Sequence, residues 1–202
     1  MTTCPMPETP SEPFVITPSQ TVGPFFSVCL APRDRPGIGS ARLATPDAVG
    51  KRITIEGRVL DGDDAPVPDA LIEIWQADGE GRYAGFHRGS TASSFTGFGR
   101  ATCDDQGRFA IETVKPGQVV DLDGRVNAPH IAIGIFGKGI NRRLYTRLYF
   151  PDENGNDGDR VLSSVAPERR ASMMAEKIDA AGQRYAFTIR LQGADETVFL
   201  DA

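Results

Sequence analysis

At 202 residues, with 40% hydrophobic and 24% charged side chains, the chain has the composition of one globular domain with extensions, long enough to bury a core. A net charge of −5, a pI near 5.1 and scattered Lys and Arg leave no basic footprint for nucleic acid, and no apolar run approaches the ~20 residues that span a bilayer. Three cysteines, Cys4, Cys29 and Cys103, lie far apart and are odd in number, which suits neither a disulfide framework nor a zinc site, so free thiols are expected.

The opening stretch, MTTCPMPETPSEPF, lacks the basic start and apolar core of a signal peptide, and a cytoplasmic location is expected. Residues 1–16, rich in Pro, Thr, Ser and Glu, read as a flexible arm ahead of a single domain over 17–202. KRITIEGRVLD (51–61) alternates Ile53, Ile55, Gly57 and Val59 on one face, and ALIEIWQAD (70–78) sets Leu71, Glu73 and Trp75 against Ile72, Ile74 and Gln76. Between them GDDAPVPD is a loop whose prolines keep it out of a sheet. In ATCDDQGRFAIETV, Asp104, Asp105 and Gly107 predict a hairpin turn before Phe109, Ile111 and Thr113. APHIAIGIF (128–136) alternates like a half-buried strand, RLYTRLYF predicts the next, and RYAFTIRL with ETVFLD predicts a final pair. APERRASMMAEKIDAAG (166–182) breaks the pattern: Pro167 suits a first helical turn, the apolar spacing is roughly helical, and Gly182 suits a stop, so one short helix is expected there. The fold class that follows is all-β: a β-sandwich of mainly antiparallel strands with one short helix and an extended N-terminal arm.

Few residues carry an obvious chemistry. His130 sits on the APHIAIGIF strand, where a His-X-His pattern would aim two imidazoles at one ion, but position 132 is alanine, and a packed core histidine is the competing reading. The other histidine, His87, falls in a loop. Tyr83 follows a Gly-rich turn that can carry a phenolate, a hard anionic ligand for ferric iron, or simply pack beneath its own loop. Lys138, between Gly137 and Gly139, with Arg142 and Arg143 just beyond, forms a basic cluster able to attract a carboxylate, or a solvated turn. Most carboxylates lie in turns, and no GxSxG, P-loop, GxGxxG or HExxH is present.

Taken together, TPSQTVGPFF (17–26), IEIWQAD (72–78) with Gly81 and Tyr83 after it, GFGRATCDDQGRFAIETVKPG (97–117), APHI (128–131), TRLYF (146–150) and ETVFLD (196–201) resemble the intradiol ring-cleavage dioxygenases over nearly the whole chain. The resemblance implies a β-sandwich family that holds ferric iron between two tyrosines and two histidines. Position by position it places the first tyrosine at Tyr83, the second at Val119, and the His-X-His pair on His130 and Ala132. With two of four donors gone, it implies a chain that binds no catalytic iron and keeps His130 and Tyr83 as remnants. Hetero-oligomeric members pair such an α chain with a homologous β chain that carries Fe(III), so the expected partners are that β chain, protocatechuate and dioxygen, within a large αβ assembly and without nucleic acid or membrane. The expected role is to wall the substrate cleft, with Thr21, Gly23, Pro24 and Phe25 from the arm and Lys138 and Arg142 near the substrate carboxylate. Phe25 stands where such chains commonly carry tyrosine, and Lys138 where they commonly carry arginine, which forfeits the bidentate fork. A self-sufficient dioxygenase and a non-catalytic β-sandwich binding module are the rival expectations.

Overall fold

The structure is a computed structural model that describes residues 16–23, 26–30, 41–85 and 95–201. Its helices and strands in chain order are α1 (Phe26–Leu30), β1 (Arg52–Leu60), β2 (Leu71–Trp75), β3 (Phe98–Thr102), β4 (Arg108–Val114), β5 (Val119–Val120), β6 (Val126–Asn127), β7 (His130–Phe136), β8 (Leu144–Tyr149), α2 (Arg160–Ser164), β9 (Glu176–Lys177) and β10 (Arg184–Arg190). The arm residues 1–15, together with Pro24, Phe25, His87 and Cys4, lie outside the described residues.

Period-two alternation builds the first sheet, ordered β4-β1-β10-β9. β1 turns Ile53, Ile55, Gly57 and Val59 inward, opposite Ile111 and Phe109 of antiparallel β4 and Tyr185, Phe187 and Ile189 of parallel β10. The Phe109 ring lies directly over Gly57, where any side chain would collide with it. The second sheet runs β3-β2-β7-β8, all antiparallel, and sends Ile72, Ile74, Ala101, Ile131, Ile133, Ile135 and Leu148 into the shared core. Each such aliphatic side chain contributes roughly 1.5–3 kcal/mol on burial, so the core between the sheets dominates the fold. Buried Gln76 couples the layers: its amide donates to the Ala77 and Val114 carbonyls at 3.0 and 2.9 Å and accepts from the Thr113 hydroxyl at 2.8 Å.

Four local readings change. β7 is buried on both faces rather than half-buried, because α2 and the turn after it cover part of the second sheet's outer side with Leu162, Val165 and Met173, packed on Tyr149 and Ala128. The Asp104 turn forms as expected, its carboxylate accepting from Gln106 and Arg108 amides at 2.9 and 2.8 Å, but it joins strands of different sheets, β3 and β4. Helix over 166–182 is confined to a 3-10 segment, Pro167–Met173; Met173 is then wholly buried, and the Ala175 amide donates to Tyr149 O at 2.9 Å, which draws the chain into extended pairing as β9. ETVFLD forms no strand, since its backbone bonds divide between the two sheets, Thr197 to Arg190 and Leu200 to Tyr145.

Candidate functional site

The outer face of the second sheet is unlike a solvated sheet surface. Strand register lines up Phe98, Trp75, Ala132 and Arg147 in one row across all four strands, with Arg100, Glu73, Gly134 and Tyr145 in the next and His130 beside Tyr149 at the end. Directly opposed residues share a face, so aromatic rings and guanidinium groups lie side by side there. Trp75 stacks on Tyr83 with centroids 5.8 Å apart and planes 7° from parallel, and it tilts against Phe98 at 6.4 Å. In the second row Glu73 receives Arg100 at 2.7 Å and lies 4.0 Å from Arg143, whose guanidinium covers the Tyr145 ring.

Tyr83 and Val119 come together through glycine. Gly81, at φ 78°, rests so closely on the Gln118 carbonyl that a side chain at 81 could not fit, and this seats the Tyr83 turn against the segment entering β5. Val119 then pairs with Asn127, while Tyr83 reaches over Trp75. His130 opens β7, 5% exposed, its Nδ1–H donating to the Ala128 carbonyl at 2.7 Å and its ring 5.8 Å from that of Tyr149. Burial, and secondarily the Arg147 charge, lower its pKa to about 4, so the imidazole is neutral. Burial also raises the Tyr83 phenol above its ordinary value, and Arg147 only partly offsets this.

The groups here do not fit a metal ion. Ala132 and Val119 supply no donor atom, and between Tyr83 and His130 the row presents a guanidinium, whose positive charge is felt by both. Arg147 belongs to Tyr145-Thr146-Arg147-Leu148-Tyr149, where the polar and aromatic residues at 145, 147 and 149 share one face; that alternation was visible in TRLYF but did not mark Arg147 as part of a site. Beside it opens a cleft of about 480 Å³ lined by Asp121, Asn127, Arg147, Arg160, Val161 and Ser164.

Lys138 and its neighbours lie elsewhere. β7 runs six residue steps from His130 to Phe136, about 20 Å at ~3.3 Å per residue, and Lys138 lies in the turn beyond its far end. There the Gly139 amide donates to Thr21 Oγ1 at 2.8 Å, docking the segment around Thr21 onto the Lys138 turn, and Lys138 Nζ stands 3.6 Å from Asp69. Gly23 and Arg142 are exposed. Thr21 and Lys138 are thus brought together, and both are separated from His130 and Tyr83 by a distance no small aromatic molecule spans.

The sequence profile of the Dioxygenase family matches residues 22–193. The chain is 41% identical over 194 residues to the protocatechuate 3,4-dioxygenase alpha chain of Burkholderia cepacia, covering 92% of this chain and 96% of the relative. It is 32% identical over 162 residues to the beta chain from the same organism, covering 75% and 68%. Among solved structures, the dioxygenase domain of a dioxygenase carbohydrate-binding protein fusion from Streptomyces sp. SirexAA-E shares the fold, with a TM-score of 0.60 and 24% identity over 88% of this chain and 100% of that one. No helix among the described residues is long and apolar enough to cross a membrane.

Proposed function

The chain belongs to the intradiol ring-cleavage dioxygenases, and we propose that it is the iron-free α subunit of a protocatechuate 3,4-dioxygenase. Its partner is a homologous β chain that holds Fe(III), and the pair cleaves 3,4-dihydroxybenzoate with dioxygen between the hydroxyl-bearing carbons to give 3-carboxy-cis,cis-muconate in the cytoplasm. What supports this reading is a separation along one strand: of Tyr83, Val119, His130 and Ala132 two supply no donor, while Thr21 and Lys138 gather beyond the opposite end of β7, about 20 Å from His130, where they would serve a site completed by another chain.

In that role the chain binds and orients. Among the described residues Lys138 pairs with Asp69 at 3.6 Å, an exposed interaction worth ~0–1 kcal/mol, so its ammonium can turn to a substrate carboxylate. Thr21, fixed by Gly139, holds its segment against the same turn; Gly23, Pro24 and Phe25 are the residues we assign to the wall of the cleft, and Arg142 is the second cation we assign to the carboxylate. No step passes through a metal on this chain, since Ala132, Val119 and Arg147 are unsuited to one.

Co-expression with the β-type chain tests the proposal. The expected result is co-purification in equal amounts, ring-cleaving activity from the pair, and iron in proportion to the β chain alone. Stoichiometric ferric iron on this chain purified by itself would overturn the iron-free assignment, and a β chain fully active without it would overturn the partnership.

A further inference from the structure

The cleft beside Arg147 has more positive charge than its own side chains neutralise. Arg147 Nε is buried with no hydrogen-bond partner among the described residues, and the guanidinium otherwise meets the hydroxyls of Tyr145 and of Tyr149, the latter at 3.5 Å. Arg160, on the exposed side of α2, is in no ion pair among the described residues. Two carboxylates are near. Asp159 is occupied by three donors, the Ala128 and Leu162 amides and the Tyr149 hydroxyl, each at 2.9 Å. Asp121 lines the cleft, its Oδ1 accepting from the amides of Asp123 and Arg125. The lining itself holds two guanidinium groups and one carboxylate, one net positive charge, with the Asp159 carboxylate outside it.

The geometry points to a binding site for a small organic monocarboxylate in this cleft, anchored by the Arg147 guanidinium and with Arg160 at its mouth. A carboxylate is planar and accepts two parallel N–H bonds from a guanidinium edge, which would satisfy the orphaned Nε. One net charge matches one carboxylate better than a doubly charged phosphate. A volume of about 480 Å³ leaves room for an organic body against Val161, and the Asn127 amide can donate to a polar substituent on it. Ser164 is not a donor to the ligand, because its hydroxyl already donates to the Val161 carbonyl at 2.7 Å.

This site is distinct from the Lys138 turn, and benzoate is a suitable probe. Equilibrium dialysis of benzoate against the full chain, together with any chain that co-purifies, compares the native sequence with Arg147→Gln and Arg160→Gln. The native protein is expected to bind one more benzoate per chain than Arg147→Gln does. Arg160→Gln, a change at an exposed and unpaired residue that leaves the fold intact, should weaken that site about tenfold, the worth of one charge-assisted hydrogen bond. The difference of one benzoate between the native side chain and Arg147→Gln should persist in a Lys138→Ala background, whatever that change does at the proposed subunit interface, which keeps this result separate from that for the proposed subunit role. The inference is overturned by equal benzoate binding, including none, in the native protein and both variants. Phenol binding as tightly as benzoate, or phosphate displacing it at equal concentration, would equally overturn it. Should Arg147→Gln fail to fold, the Arg160→Gln comparison decides the matter.

Discussion

His130 is a buried base whose neutrality ties folding to pH. Burial and the nearby Arg147 charge bring its pKa to about 4 in the folded chain, against about 6.5 for an exposed imidazole. Below pH 6.5 the unfolded chain takes up a proton that the folded chain refuses until pH 4, so stability contributed by this residue is present above 6.5 and lost as pH falls through that window. The full loss is about 3 kcal/mol. Urea midpoints measured from pH 7 to 4 should therefore fall more steeply for the native chain than for His130→Gln, which starts less stable but lacks the titration; parallel curves would remove His130 as the cause. In the proposed subunit role Lys138 makes the opposite kind of contribution, to substrate rather than to fold. Lys138→Ala in the assembled enzyme should raise KM for protocatechuate about tenfold while leaving KM for catechol, which has no carboxylate, nearly unchanged. Its thermal midpoint should not move measurably, since the pair with Asp69 is exposed. Equal KM changes for the two substrates would argue against a carboxylate contact.

At the level of single elements, α2 shows how a five-residue helix persists in a β-protein. A helix this short is not stable on its own, so its ends must be fixed from outside. Asp159 does this: fully buried at the N-cap, it accepts from the Leu162 amide and at the same time from Ala128, just before β7, and from Tyr149, at the end of β8. One carboxylate thus pins α2 to the two strands that carry His130 and Arg147. Asp159→Ala removes the cap and leaves a buried hydroxyl and a buried amide unpaired, which should cost about 3–5 kcal/mol in chemical denaturation; Asp159→Asn, which keeps one accepting oxygen, should cost less. If the two variants were equally stable, the second-strand contacts would contribute nothing. The segment after α2 is instructive in the other direction. Pro167, the Met pair and Gly182 have helix-like spacing, yet Tyr149 captures the backbone at Met174 and Ala175 and propagates extended structure, a tertiary contact that no local pattern encodes.

Across the whole molecule, what was legible in the sequence is what is locally determined. Inward faces of β1, β2, β4 and β10 follow from alternation, and the Asp104 turn from its own side-chain hydrogen bonds. Which sheet a strand joins is non-local: β3 and β4 flank one tight turn yet belong to opposite layers, and nothing in Asp-Asp-Gln-Gly distinguishes that from a hairpin. The candidate site divides the same way. The resemblance marked Tyr83, Val119, His130, Ala132 and Lys138, but only β7's length separates the first four from the last, and only cross-strand register puts Arg147 opposite Ala132. The layers are held in this arrangement by apolar packing and by polar clamps, of which the buried one is Gln76 between β2 and β4: its amide reaches from the end of β2 to the Thr113 hydroxyl and the Val114 carbonyl of β4. Gln76→Leu preserves volume but orphans a hydroxyl and two carbonyls in the core, so it should cost about 2–4 kcal/mol by urea unfolding with an unchanged m-value. Thr113→Val alone orphans only the amide oxygen and should cost about 1 kcal/mol. Because both variants break the same Thr113–Gln76 bond, the double variant should be more stable than the sum predicts by at least about 0.5 kcal/mol. Strict additivity would mean that the Thr113–Gln76 bond contributes nothing to the joint between the two sheets.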